Sequence, residues 1–320
     1  MSATIRVRVA ERRAEALDIC GLDLVAADGS ALPAFTAGAH IDVHLPGGLV
    51  RQYSLYNAPG ETQRYRIAVL RDAASRGGSA AVHEHLQPGT ELSIGQPRNL
   101  FALDESAPHH LLLAGGIGIT PLLSMAERLS AMGECFELHH CTRSPGRTPF
   151  LQHMAASPFA RHVQHHHDDG APEQKLDLAD TLARAPAGTH LYVCGPTGFM
   201  DAVLAAGRSA GWPEERLHRE YFAAAPADSS SDGSFEMEIA STGRVVPVSA
   251  GQSALAALLA AGLDIPMSCE QGVCGTCLTG VKAGTPEHRD QYLTPEERAA
   301  NNQFLPCCSR ASSARLVLDL

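Results

Sequence analysis

The chain has 320 residues, 44% apolar and 19% charged, and its 35 acidic against 25 basic residues give a formal net charge of −10. That length exceeds one ordinary core and fits two or three domains. The acidic balance leaves no basic stripe for nucleic acid, and no apolar run approaches the ~20 residues that cross a bilayer.

Nine cysteines are a modest and odd number, and the start, MSATIRVRVA, is charged where an export signal would be apolar. Both point to an unexported, cytoplasmic chain in which thiols serve better as ligands than as disulfide partners.

Over the first hundred residues, IRVRVA, LDICGLDLVA, AHIDVHL, VRQYSLY, YRIAVLR and ELSIG are short alternating runs separated by turn residues. They predict a small antiparallel barrel or sandwich, with a helix only over SAAVHEHL. Arg51-Gln52-Tyr53-Ser54 falls in one of these strands, and Arg76-Gly77-Gly78-Ser79 opens the helix. Arg51 and the amides of Gly77 to Ser79 suit a phosphate, helped by helix polarity, while Tyr53 suits stacking on a planar ring and Ser54 a bond to it. Taken singly, the same residues read as a barrel arginine, a core tyrosine and a helix cap.

From about His109 the pattern changes to apolar runs HLLLAGG, CFELHHC, HVQHHH and THLYVCG alternating with helical stretches PLLSMAERLSAM and GFMDAVLAAGRSAGW. This alternation predicts a parallel sheet covered on both faces. In LLLAGGIGITPLL a buried strand runs into Gly115, Gly116, Ile117 and Gly118, and Thr120 and Pro121 open the next helix. Glycine admits a close ligand and the helix start offers free amides to a pyrophosphate, although the third glycine of G-x-G-x-x-G is missing and a tight turn would look similar. VCGPTGFM, read as following the last parallel strand, repeats the arrangement at Cys194, Gly195 and Pro196, and two such turns would line one crevice. Cys194 alone reads as a buried apolar thiol.

AAAPADSSSDGS, residues 223–234, has nothing to bury and reads as a linker. Beyond it FEMEIA, RVVPVS and LVLDL read as strands and SALAALLAAG as a helix. Here CEQGVCGTC places Cys269, Cys274 and Cys277 within nine residues, and Cys307 follows after 29 more, beside Cys308. Three uses stand open: disulfides, which want an oxidising compartment; zinc, which prefers paired short knuckles; and an iron–sulfur cluster, which needs four thiolates round one small body. Histidines 139, 140 and 165–167 lie in strands whose side chains alternate in direction, which argues against one shared ion.

The order of these pieces resembles the ferredoxin-NADP reductase superfamily: R-x-Y-S in a barrel, GGIGITP and CGPTGFM in an α/β domain, then EYF at 220–222. The C-x4-C-x2-C spacing with a distant fourth cysteine is that of plant-type ferredoxins. All 320 residues together resemble the phthalate dioxygenase reductase and vanillate demethylase reductase group. The resemblance implies an antiparallel β-barrel flavin domain (1–104), an α/β parallel-sheet nicotinamide domain (105–222), a linker (223–234) and an α+β β-grasp ferredoxin domain (235–320).

It also implies FMN rather than FAD, no platform for adenine being evident, together with NADH and a [2Fe–2S] cluster on Cys269, Cys274, Cys277 and Cys307. Arg51, Gln52, Tyr53 and Ser54 would meet the flavin, Ala68, Val69 and Leu70 would flank it, and Gly77, Gly78 and Ser79 would take its phosphate. Gly115 to Gly118, Thr120, Pro121, Thr142, Arg143, Ser144 and Cys194 to Pro196 would hold the nicotinamide nucleotide, and Glu220 and Phe222 would close the flavin's other side. Arg143 and Arg147 suit a 2′-phosphate and no acidic residue is placed for a ribose diol, so the choice of NADH rests on the family alone.

The implied role is a monomeric reductase component, without membrane attachment, that passes electrons from NADH through flavin and cluster to a Rieske-type oxygenase. The chain is not itself such an oxygenase, because no cysteine is followed by histidine at Rieske spacing. The alternatives are a redox sensor and a reductase for another protein acceptor.

Overall fold

The computed structural model describes residues 4–73, 77–222 and 232–320, which fall into two compact units, Met1–Glu220 and Tyr221–Leu320. The first unit opens with β1 (Thr4–Ala16), β2 (Ile19–Ala26), β3 (His40–His44), β4 (Val50–Ser54), β5 (Tyr65–Leu70), α1 (Gly78–His85) and β6 (Glu91–Gly95). The strands form one antiparallel sheet in the order β4-β3-β6-β1-β2-β5. Alternate residues face inward: Val7, Val9, Leu22, Leu24, Ile41, Val43, Ile67 and Ile94 are buried in one core, as a period of two requires.

The chain continues through β7 (His110–Gly115), α2 (Ile119–Met132), β8 (Phe136–Thr142), α3 (Leu151–Ala156), β9 (Val163–His167), α4 (Leu178–Arg184), β10 (His190–Cys194), α5 (Thr197–Ser209) and β11 (Leu217–Glu220). These strands form a wholly parallel sheet in the order β11-β10-β7-β8-β9. The THLYVC strand is therefore not the last of the sheet. The four-residue β11 pairs alongside it and is too short to show a period in sequence. Chain order runs one way from β7 to β9 and the other way from β7 to β10, so the switch point lies between β7 and β10, where open parallel sheets bind ligands.

The second unit contains β12 (Phe235–Ile239), β13 (Val245–Val248), α6 (Ala254–Ala260), β14 (Thr279–Ala283), β15 (Pro286–Glu287), α7 (Pro295–Ala300), β16 (Gln303–Phe304), β17 (Arg310–Ala311) and β18 (Arg315–Leu318). Its main sheet runs β13-β12-β18-β14-β16, with β12 and β18 parallel, and Leu255 and Leu258 of α6 pack into its core.

Most of the expected linker lies outside the described residues. Its end, 232–234, is bound to the second unit instead of being free: Asp232 pairs with Arg289 at 2.7 Å and Arg310 at 3.5 Å, and the Gly233 carbonyl accepts from Arg310. Among the described residues no helix is long and apolar enough to cross a membrane.

Candidate functional site

The two halves of the first unit meet where β4 ends and β11 ends. Antiparallel register sets His40 opposite Ser54, and parallel register sets Cys194 opposite Glu220. The two pairs are joined by Ser54 Oγ, which donates to Glu220 Oε2 at 3.2 Å. Only 13% of the Glu220 side chain is exposed. Burial pushes its carboxyl up to about 8, against the opposing hydrogen bond from Ser54, so near neutral pH it holds its proton. Cys194 is fully buried and its thiol is pushed well up by desolvation and by the nearby Glu220. It is a neutral packing surface.

Along β4, burial raises the Tyr53 phenol, and the ring packs on the barrel core. Gln52 points away from this end and donates to Asp42 at 3.1 Å. A Cβ on Gly78 would lie 2.6 Å from Arg51 Nε, so the Arg51 side chain is laid across the first turn of α1 where glycine leaves it room. Ser79 Oγ accepts from the Asp72 amide at 3.1 Å. Arg76 lies outside the described residues. Ala68 and Val69 are buried in β5, and the Val69 carbonyl accepts from His83 at 2.9 Å. An arginine spanning the amide-bearing start of a helix, next to a buried hydroxyl and an aromatic ring, fits a phosphate-tailed planar group such as FMN.

At the switch point the turns after β7 and β10 touch. A Cβ on Gly195 would stand 2.8 Å from Gly115 Cα, and one on Gly115 would stand 2.8 Å from Pro196 Cδ. Thr120 Oγ1 donates to the Ile117 carbonyl at 3.1 Å, which tightens the turn into α2, and the Gly116 carbonyl accepts from His140 at 3.0 Å. Two glycine-bearing turns at the carboxyl ends of adjacent parallel strands fit a dinucleotide.

The neighbouring β8 end differs from expectation. The Asp168 and Asp169 amides donate to the carbonyls of Thr142 and Arg143 at 3.0 and 3.2 Å, so the backbone of two acidic residues runs beside this loop. Arg147 Nη1 meets Asp18 at 3.5 Å, which occupies one of the two arginines suited to a 2′-phosphate. Sequence reading missed the aspartates because they follow β9, and only the parallel pairing of β8 with β9 brings them alongside.

In the second unit Cys269, Cys274 and Cys277 are buried and Cys307 is half-buried. The thiols are linked in pairs. Hydrogen bonding to Cys269 draws the Cys274 thiol down to about 5, and the bond to Cys307 lowers Cys277. Backbone amides are turned toward the sulfurs, Gln271 N to Cys269 Sγ at 3.3 Å and Thr276 N to Cys274 Sγ at 3.4 Å. Four shielded thiols in two linked pairs, with amides pointing at sulfur, fit a [2Fe–2S] cluster. The Cys308 thiol is also hydrogen-bonded to Cys307, and it lies against Gly272, whose φ of 72° holds the loop bend. Phe222 belongs to the second unit and is 40% exposed.

The histidines pair as strand alternation dictates, His139 with His166 on one face and His140 with His165 on the other. They do not converge on a single point.

Residues 237–312 match the family model of the 2Fe-2S iron-sulfur cluster binding domain, and residues 96–217 match that of the dimethylamine monooxygenase subunit DmmA-like N-terminal domain. The chain is 56% identical over 316 residues to the vanillate O-demethylase oxidoreductase of Pseudomonas sp. (strain HR199 / DSM 7063), covering 99% of this chain and 100% of that one. It is 38% identical over 317 residues to the phthalate dioxygenase reductase of Burkholderia cepacia, covering 99% and 97%. A solved structure of phthalate dioxygenase reductase, described as modular for electron transfer from pyridine nucleotides to [2Fe-2S], superposes with a TM-score of 0.79 at 37% identity, over 99% of this chain and 98% of that one. With barrel, switch-point crevice and four-thiol loop in the same order over the whole length, the chain belongs to the vanillate O-demethylase oxidoreductase and phthalate dioxygenase reductase family of flavin- and iron–sulfur-dependent oxidoreductases.

Proposed function

We propose that the chain is the reductase component of a Rieske-type aromatic oxygenase or O-demethylase system, taking electrons from NADH and delivering them singly to the oxygenase. The observation that carries this reading is the Ser54–Glu220 hydrogen bond, which brings the ring-binding strand of the barrel and the switch-point sheet to one place. Flavin, when bound, supplies the exchange between the two-electron chemistry of nicotinamide and the one-electron chemistry of the cluster.

The protein's part is to bind, orient and exclude water. Arg51 and the amides of Gly77 to Ser79 hold the FMN phosphate, and Tyr53 and the β5 backbone from Ala68 to Leu70 flank its ring. Gly115 to Pro121 and Cys194 to Pro196 seat the dinucleotide, whose ribose lies toward Thr142, Arg143 and Ser144. Asp168 and Asp169 beside that loop favour a ribose diol over a 2′-phosphate by charge, which supports NADH. Ser54 and the protonated Glu220 manage the proton at the ring, and Cys194 gives the nicotinamide an uncharged face. Cys269, Cys274, Cys277 and Cys307 hold the cluster.

Serine in place of any of these four cysteines is expected to abolish reduction of a protein acceptor while NADH oxidation by ferricyanide persists. Loss of both activities together overturns the order of carriers. Assaying the purified chain and NADH with a panel of Rieske oxygenases, and scoring turnover of each aromatic substrate, identifies the partner. Failure with every oxygenase, together with fast reduction of some other carrier, overturns the assignment of the acceptor.

A further inference from the structure

Beside the four ligand cysteines stands a fifth thiol, which the cluster reading leaves without a task. Cys308 follows Cys307 directly, and both are half-buried against the core of the second unit. The Cys308 thiol is hydrogen-bonded to Cys307, and Cys307 is hydrogen-bonded in turn to Cys277, so three sulfurs stand in a row. From another side the Cys308 thiol is fitted to the loop between Cys269 and Cys274, where a Cβ on Gly272 would collide with its Sγ. Two further groups are within weaker reach of Cys308 Sγ, the Leu305 carbonyl at 3.8 Å and Ser309 Oγ at 3.7 Å.

Binding iron fixes the direction of the contact between the two neighbours. A cysteine ligand gives up its proton, so once Cys307 is a ligand only Cys308 has a hydrogen to share between the two sulfurs. A charged acceptor draws a donor more strongly than a neutral carbonyl or hydroxyl does, which turns the S–H toward Cys307 in preference to Leu305 or Ser309. We propose that Cys308 is a tuning residue of the cluster, whose thiol donates to the Cys307 ligand sulfur and makes the cluster easier to reduce. This rests on the assignment of Cys307 as the fourth ligand.

Reduction adds negative charge that the ligand sulfurs share, and a donor held at one of them stabilises the reduced form over the oxidised one. Three ligands receive backbone donors: Cys269 from the Gln271 amide, Cys274 from the Thr276 amide and Cys277 from the Cys307 amide. Cys307 is the ligand for which a side chain takes that part. A thiol is a weak donor, so its effect belongs at the low end of what one hydrogen bond contributes. Its small size matters too, because the space beside Gly272 is closed to anything that would push the loop outward.

The test compares the full chain, cluster in place, as wild type, Cys308→Val, Cys308→Ala and Cys308→Ser. Poised against a redox dye, the wild-type cluster is expected to hold a reduced-to-oxidised ratio ~3-fold above that of the valine and alanine variants, about 28 mV for one electron. Cys308→Ser, which keeps a donor, should stay with the wild type. Resonance Raman of the iron–sulfur stretches, with clusters assembled in H2O and in D2O, separates a hydrogen bond from packing. Amide hydrogens exchange in every variant, so the reading is the part of the D2O shift that wild type and Cys308→Ser share and Cys308→Val loses. Unchanged ratios, or a D2O shift that Cys308→Val keeps in full, overturn the proposal. So does a cluster lost from Cys308→Val and kept by Cys307→Val, which would make Cys308 the ligand. None of these measurements uses NADH or an oxygenase, so their failure leaves the reductase reading standing, whereas a wild-type chain that binds no iron overturns that reading itself.

Discussion

Asp23 and Glu220 are both carboxyls shut away from water in the first unit, and they are driven in opposite directions. Asp23, with 2% of its side chain exposed, faces Arg13, Arg64 at 3.0 Å and Arg66 at 3.4 Å. Burial works against its charge, and the bond from Arg13 and the surrounding guanidinium charges overturn that penalty, holding it below the usual carboxylate range. Among the described residues Glu220 has one hydroxyl donor and no arginine or lysine partner, so burial wins and the carboxyl stays protonated. Depth alone does not decide ionisation; the partners do. Asp23 is built as a structural anion, and Glu220 as a group able to hold or give a proton.

Replacement at the two positions separates these roles most strongly. Asp23→Asn removes the anion that Arg13, Arg64 and Arg66 share, although Arg13 keeps Glu11 and Glu15 and Arg64 keeps Glu61. It is expected to cost about 2 kcal/mol, less than the ~3–5 of a fully buried pair because the arginines are partly exposed. Glu220→Gln, compared at about pH 4 where the acid is largely protonated in both the folded and the unfolded chain, substitutes a neutral isostere for a neutral acid and is expected to cost under about 1 kcal/mol. The single tryptophan, Trp212, lies in the first unit, so its fluorescence in urea reports the right transition. Equal costs at the two sites would break the comparison.

Acid and base should then act on opposite members. Asp23 has a folded-state pKa below its ordinary 3.8, so its contribution is complete above that value and fades as pH falls through the lower folded value. Glu220 is raised from 4.5 to about 8, so the folded unit holds a proton that the unfolded chain has lost. Its contribution is complete below 4.5 and is lost as pH rises to about 8. Wild-type stability minus that of Glu220→Gln should fall across this window with a slope of at most about 1.4 kcal/mol per pH unit. A flat difference would mean that Glu220 is already ionised.

What could be read from sequence followed the range of the interactions. The barrel strands showed in their alternation, and CEQGVCGTC showed because three ligands of one small body sit within nine residues. Ser54 and Glu220 are 166 positions apart, and only the family resemblance linked them. No periodicity marks β11, β15, β16 or β17, because two to four residues are too few to show one. Asp168 and Asp169 were hidden by parallel pairing, in which the ends of strands distant in sequence become neighbours. The anchoring of 232–234 was hidden because Asp232 meets arginines 57 and 78 positions away.

The finest test removes one partner from each carboxyl. Ser54→Ala deletes the hydroxyl that donates to Glu220 and stabilises its ionised form, so the Glu220 titration should move further up from about 8. Since one net hydrogen bond is worth about 1 kcal/mol and one pKa unit about 1.4, the rise should be under about one unit. Arg66→Gln deletes the most distant of three cations around Asp23, and two remain, so Asp23 should stay ionised through the neutral range. Carboxyl 13C shifts read both titrations in the folded chain. A downward movement of Glu220 in Ser54→Ala would show that the hydroxyl stabilises the protonated acid, and the difference between the two carboxyls would then need a cause other than their donors.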